Sequence, residues 1–351
     1  MFRNNRAQKI SSTRKWYWRV FRVKLLLAIT LIVPVGHAEE GGRSNSFFAY
    51  LAGCKPEPAL IAFNPSTFDP RTPFVLSDVV RASLRTDLQA LAPSFNGLVL
   101  YEYHQKLTRV ILATAQPLGF RAVLLGIWDP KQDDEIKGVA EMILQFHYTL
   151  ALAVVIGNEG LIDNRYTIAD LQLAAEKLQA LLPAGLFVPF TTSEPISEYG
   201  LKELREFGDF LAPNIHPAVD QDSVDPLLAA EWVKRRALAL RIIGKKPVFV
   251  KETGVPNGGM LNYTPQVQQL FWQEYRQGPH FVYTDGAPWI SYAAAFEAFN
   301  MPWKAEKTGL PIEGRWGLLD TERRRYPAFD VWQSTTGSEK YCLCGKCPRS
   351  P

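Results

Sequence analysis

Residues 151–159 read Ala151-Leu-Ala-Val-Val-Ile-Gly-Asn-Glu159. The unbroken apolar row from Ala151 to Ile156 suits a strand covered on both faces, as in a parallel sheet wrapped by helices. A buried strand that finishes on an amide and a carboxylate needs an opening at its C-terminal end. The same rhythm of apolar run, polar turn and longer amphipathic stretch recurs along the chain. Strands are expected at 59–65, 97–103, 121–130, 151–159, 186–195, 210–217, 247–254 and 291–299. Between them, 77–93, 167–183 and 225–244 carry apolar residues three and four apart and start on Ser, Thr or Asp. Eight strand-helix units predict an α/β chain folded as a single-domain (β/α)8 barrel, the TIM barrel, over residues 57–333. A doubly wound open sheet is the rival. It lacks its phosphate-binding Gly-x-Gly-x-x-Gly, because "FNPSTFDPR" follows the first strand.

The 351 residues carry a formal charge of +4, but its distribution excludes a nucleic-acid footprint. Eight basic residues and no acidic one lie between Met1 and Lys24; removing those eight from 39 leaves 31 Lys plus Arg against 35 Asp plus Glu. That basic stretch precedes the apolar run Leu25–Val35 and the small residues Gly36-His-Ala38, the layout of a secretory signal peptide, here residues 1–38. The run is short for a membrane span, so cleavage after Ala38 is expected, with an uncleaved anchor as the alternative and the only membrane contact. Residues 39–56 form a lead-in. Cys54 and the tail cysteines Cys342, Cys344 and Cys347, within the Cys-rich segment 334–351, are disulfide candidates in an exported chain, with zinc binding as the lesser reading.

In a barrel, chemistry gathers at the C-terminal strand ends. Those ends carry Asn64, Tyr103, Trp128, Asn158 with Glu159, Glu194, Asn214 with His216, Glu252 and Glu297. Any one of them alone reads as a turn former or helix cap, but their recurrence on nearly every strand points to a polar mouth. Glu159 and Glu252 both follow apolar runs. Two carboxyl groups across a cleft are the minimum equipment for breaking a glycosidic bond, one protonating the leaving oxygen and the other attacking or activating water. Tyr103, Trp128, Trp289 and Trp303 offer flat faces to sugar rings. No metal and no cofactor is called for.

"IGNE" at strand four and "KETGVPNGG" at strand seven resemble the acid/base and nucleophile motifs of glycoside hydrolase family 17, a family of retaining (β/α)8 enzymes. "FNPSTFDPR", "GFRAVLLGIWDP", "TTSEP", "NIHP" and "IEGRWGLLD" are similar to bacterial members, and the resemblance covers about residues 57–333. It implies Glu159 as general acid/base, Asn158 on the hydroxyl beside the reacting carbon, Glu252 as nucleophile and His216 next to it. Val255 stands where the family commonly has Trp, so the aromatic wall is either missing or supplied by Trp289 or Trp303. Gly160 stands where larger residues are common. The implied function is an exported retaining hydrolase of β-glucan oligo- or polysaccharide, β-1,3-linked in the first instance. Transglycosylation at the same site is an alternative, as are a silent polysaccharide-binding barrel and a functional Cys-rich tail.

Overall fold

A computed structural model describes residues 47–220, 225–283 and 286–333. Its strands are β1 (Leu60–Ala62), β2 (Gly97–Val99), β3 (Ala122–Ile127), β4 (Ala151–Asn158), β5 (Phe190–Ser193), β6 (Val248–Phe249), β7 (Phe281–Val282), β8 (Ile290–Ser291) and β9 (Ala294–Ala295). The α-helices are α1 (Phe47–Leu51), α2 (Asp78–Leu91), α3 (Leu107–Ala115), α4 (Asp133–Phe146), α5 (Ile168–Leu181), α6 (Lys202–Glu206), α7 (Pro217–Asp220), α8 (Pro226–Gly244), α9 (Pro265–Tyr275), α10 (Pro302–Thr308) and α11 (Pro327–Val331).

β1 to β5 pair in order and in parallel, and β9 joins the free edge of β1. The eighth barrel strand is split. Its first half, β8, pairs with β6, and its second half, β9, pairs with β1, which carries the sheet round to closure. The sixth expected strand, 210–217, differs from expectation: it forms isolated bridges, Pro195 with Asn214, Leu211 with Val248 and Asn214 with Glu252. Pro213 and Pro217 remove two backbone donors from that stretch, so a continuous ladder cannot form there. β7, antiparallel to β8, is an edge pair with no strand pattern in the sequence. The described residues form one unit, and the architecture is a (β/α)8 barrel.

Local chemistry sets the helix starts. Ser77 caps α2 through Val80 N, Thr167 and Asp170 make a reciprocal capping box on α5, and Thr264 caps α9 with Pro265 as the first helical residue. The core has two shells. Outward-facing Ile61, Leu98, Val123, Leu125, Leu152, Val154 and Val248 pack under the helices. Inside the barrel, Ala122, Ala151, Ala153, Ala212 and Ala294 leave room for Phe210 and Phe249, with Phe47 of α1 plugging the lower end. Among the described residues no helix is long and apolar enough to cross a membrane. The segments 1–38 and 334–351 lie outside the described residues.

Candidate active site

β4 delivers its last two residues to the mouth through a bulge. Its pairing with β5 shifts register between Val155 and Asn158, where Gly157 takes φ +78°. Glu159 follows at φ +52°, a left-handed conformation that costs a non-glycine residue energy and persists where surroundings hold it. The surroundings are visible. Glu194 Oε1 accepts from Gly160 N at 3.1 Å, Leu161 N at 3.0 Å and the Tyr166 hydroxyl at 2.9 Å, clamping the turn that follows Glu159. Gly160 is required here because an added Cβ would lie 2.0 Å from a Tyr166 ring carbon. Glu194, expected on substrate, is fully buried in this clamp, where it holds the turn after Glu159.

Glu252 follows β6 and is 4% exposed. His216 Nε2 lies 3.3 Å from its Oε2, and Lys251 Nζ donates to its Oε1. Asn214 sits between the two glutamates. Its Nδ2 donates to Glu159 Oε1 at 2.7 Å, while Glu252 O accepts from Ile215 N at 2.8 Å. Burial alone would raise the Glu252 pKa, but the Lys251 ammonium and then His216 outweigh it and bring it down to about 2. Glu159 moves the other way. Burial raises it first and the negative charge of Glu252 second, against the smaller pull of Asn214. The pair therefore holds one carboxylate as an anion and favours the protonated form of the other, the division of labour that acid-assisted displacement requires.

Around this pair the mouth is aromatic and charged. The His216 ring stands 5.0 Å from both Phe296 and Trp316, measured between centroids. That wall, with Trp316 from "EGRWG", was not among the expected site residues. Val255 is buried in the core, its carbonyl accepting from Gln268 at 3.2 Å. The buried Tyr101 hydroxyl feels Glu252, Glu297 and Glu159, and burial with those charges raises its pKa strongly. Glu297 is fully buried against Lys304 at 2.5 Å. Trp128 and Trp303 are half-buried and joined by one cation: Arg71 lies 5.6 Å from the first ring and 5.3 Å from the second, while Arg165 covers Trp128 at 4.4 Å. The backbone N–H groups of Trp128 and Asp129 donate to Glu135 in the first turn of α4, which fixes that strand end. Burial lifts Glu102 to about 7 against the opposing charge of Arg71, with Glu135 and Asp69 adding to the rise.

Two other expected site residues, Trp289 and Tyr103, lie away from the pair. Trp289 precedes β8 rather than following it, so it sits at the opposite end of the barrel, against Phe48 and Phe281 at 5.2 and 5.3 Å. The Tyr103 ring fills the space over Gly138 of α4, on the helix side. Asn64 lines a small cavity with Pro65, Tyr101, Glu102 and His104. Cys54 is described, whereas Cys342, Cys344 and Cys347 lie outside the described residues. Among the described residues no cluster of three or more His, Cys, Asp or Glu is arranged to hold a metal ion.

No curated protein sequence matches the chain. Its fold is similar to a glycoside hydrolase family 17 β-1,3-glucanosyltransferase from Rhizomucor miehei, at 18% identity and TM-score 0.60 over 78% of this chain and 97% of that one. It is likewise similar to an endo-laminarinase from Formosa, at 18% identity and TM-score 0.63 over 82% and 88% of the two chains. A β-1,3-glucanase and pollen allergen of Cryptomeria japonica matches at 15% identity and TM-score 0.59, over 77% and 98%. Residues 67–317, which span both glutamates and the mouth, match the BtgE/BtgC glycoside hydrolase domain. With a barrel whose strand ends converge on two unequal carboxyl groups, the chain belongs to the BtgE/BtgC glycoside hydrolase domain family.

Proposed function

We propose that this glycosidase is exported, acts on β-glucan with β-1,3 linkages as its first substrate class, and retains the anomeric configuration. The observation that carries the mechanism is the opposed acidity of Glu252 and Glu159 on either side of Asn214. In the first step the Glu252 carboxylate attacks the anomeric carbon, the glycosidic C–O bond breaks, and the leaving oxygen takes the proton of Glu159. In the second step water attacks the same carbon, gives its proton to Glu159, and the ester bond to Glu252 breaks. The substrate class is supported by what the structural relatives act on, including an R. miehei glucanosyltransferase mutant bound to laminaritriose. A sugar hydroxyl in place of water would make the protein a glucanosyltransferase, and product sizing at high donor concentration separates the two. Export rests on residues 1–38, and N-terminal sequencing of material from the native host should begin near Glu39.

The test of the mechanism is the anomer released by two variants. Glu252→Ala should abolish turnover of natural glucan, and azide should restore it on an activated donor with inverted product, because the anion enters the vacated space and attacks directly. Glu159→Ala should lose about 10²–10⁴-fold on natural glucan yet spare donors whose leaving groups need no proton, and with azide should release retained product. Wild-type enzyme releasing the inverted anomer would refute both roles.

A further inference from the structure

Lys251 takes no part in the bond-making steps above, yet it is 1% exposed and surrounded by residues that do. An ammonium has three N–H bonds. Lys251 directs them to Asn158 Oδ1 at 2.6 Å, Asn214 Oδ1 at 3.3 Å and Glu252 Oε1. The Tyr101 ring lies 4.8 Å from the same nitrogen. Its donors are thus fully used, and each acceptor belongs to the site.

The two amides make this more than a salt bridge. An asparagine can present oxygen or nitrogen at nearly the same place, and its partners decide which. A cation accepts nothing, so Lys251 draws the Oδ1 atoms of both asparagines toward itself. Asn214 then turns Nδ2 onto Glu159 at 2.7 Å. Asn158 turns its Nδ2 away, where that group has no partner among the described residues and is not sealed from solvent. Ser193 does not supply the same constraint. Its Oγ lies 2.7 Å from Ala212 O and 2.8 Å from Asn214 Oδ1, and its one proton serves one of them.

We propose that Lys251 is a positioning residue of the glycosidase site, its buried ammonium locking Asn158, Asn214 and Glu252 into one unit so that Asn158 offers an N–H group to a sugar hydroxyl. This rests on the proposed function, which it deepens by assigning the residue that sets the donor pattern of the sugar site. The charged and titratable groups facing Glu252 are Lys251 from its own segment, His216 from the sixth strand position, Tyr101 after β2, Glu159 after β4 and Glu297 after β9. After burial, which raises the Glu252 pKa, Lys251 is the largest influence and lowers it, with His216 next.

The test combines Lys251→Met, which keeps the length and removes the charge, with NMR titration of glutamate labelled at Cδ. Wild-type Glu252 should stay ionised down to about pH 3, while in the variant its midpoint should rise above the ordinary 4.5. On laminari-oligosaccharides kcat/KM should fall about 100-fold, the order lost when a reacting geometry is misplaced. Ethylammonium should restore part of the activity of Lys251→Ala, a rescue that a space-filling role would not show. A folded Lys251→Met protein with an unmoved Glu252 midpoint and kcat/KM near wild type overturns the proposal. Should the variant fail to fold, the wild-type titration decides, and a Glu252 midpoint above 4.5 overturns it. A wild type inactive on every β-glucan but showing the expected NMR shift would sink the substrate assignment and leave the role of Lys251 standing.

Discussion

Glu159 and Glu252 are the same side chain with opposite acid strengths, and the opposition makes a testable cycle. In the proposed mechanism Glu159 must carry a proton when the glycosidic bond breaks, and its raised pKa preserves that form above the ordinary 4.5. Activity in the first step therefore falls as pH rises through the Glu159 pKa, whereas the acid limb lies far below it because Glu252 is depressed to about 2. Part of the Glu159 shift comes from the charge of Glu252, so in the proposed mechanism forming the ester would remove that part and turn the acid into a base when the second step needs one. Glu252→Gln mimics the uncharged state. In that variant the Glu159 midpoint should move down, read by the same Cδ titration, and a midpoint that stays or rises would break the coupling. The two glutamates were legible in the sequence because each ends an apolar run. Lys251 was not. Phe249 faces the barrel interior and Val250 the helices, so strict alternation puts Lys251 and Glu252 on opposite faces. The strand ends at Phe249, and beyond it the chain turns both side chains into the mouth.

At the scale of elements, the ends of β4 and β5 show how a strand-end carboxylate can serve the backbone. Glu194 follows β5 as Glu159 follows β4, and in the sequence they look alike. The bulge at Gly157 and the turn at Gly160 separate their roles, and that turn depends on Tyr166 packing where a Cβ would stand. Tertiary packing of this kind leaves no periodic signal, so only the tight glycines could have hinted at it. Removing Glu194 leaves Leu161 N and the Tyr166 hydroxyl without their acceptor, while Gly160 N keeps the Tyr166 oxygen at 2.9 Å. At about 1–3 kcal/mol for each buried donor left unpaired, with some relaxation, Glu194→Ala should cost about 3 kcal/mol of stability. It should also lower kcat more than it raises KM, because it misplaces the acid without touching sugar. Urea unfolding and steady-state kinetics check both. A stable variant whose only defect is a raised KM would return Glu194 to the role of a sugar ligand.

For the molecule as a whole, closure is what brings the first and last described segments together. The strand count and the barrel were legible because eight apolar runs recur. The split eighth strand and the bridged sixth were not, because Pro213, Pro217 and a change of partner between β8 and β9 act through pairing rather than composition. Closure places the last described segment on the first unit. Arg323 pairs with Asp87 of α2, and Phe95 meets Phe329 and Trp332 at 5.9 and 5.3 Å. Both ends also meet at one residue: Arg276 binds Glu57 at 2.9 Å and lies 4.5 Å from the Trp332 ring. Glu57 follows Cys54 by three positions, and Trp332 precedes Cys342 by ten. Ten residues can reach roughly 35 Å when extended, so the chain length allows Cys54 to meet a tail cysteine. In protein exported by its native route, mass mapping should therefore find at least one disulfide among Cys54, Cys342, Cys344 and Cys347. A bond from Cys54 to the tail would close a loop of nearly the whole barrel, for which about 2–4 kcal/mol is the usual stabilisation. Reduction should then lower the melting temperature by about 5 °C. Four free thiols in that material, with a melting temperature indifferent to reductant, would show that Arg276 and the aromatic contacts hold the two ends together without covalent help.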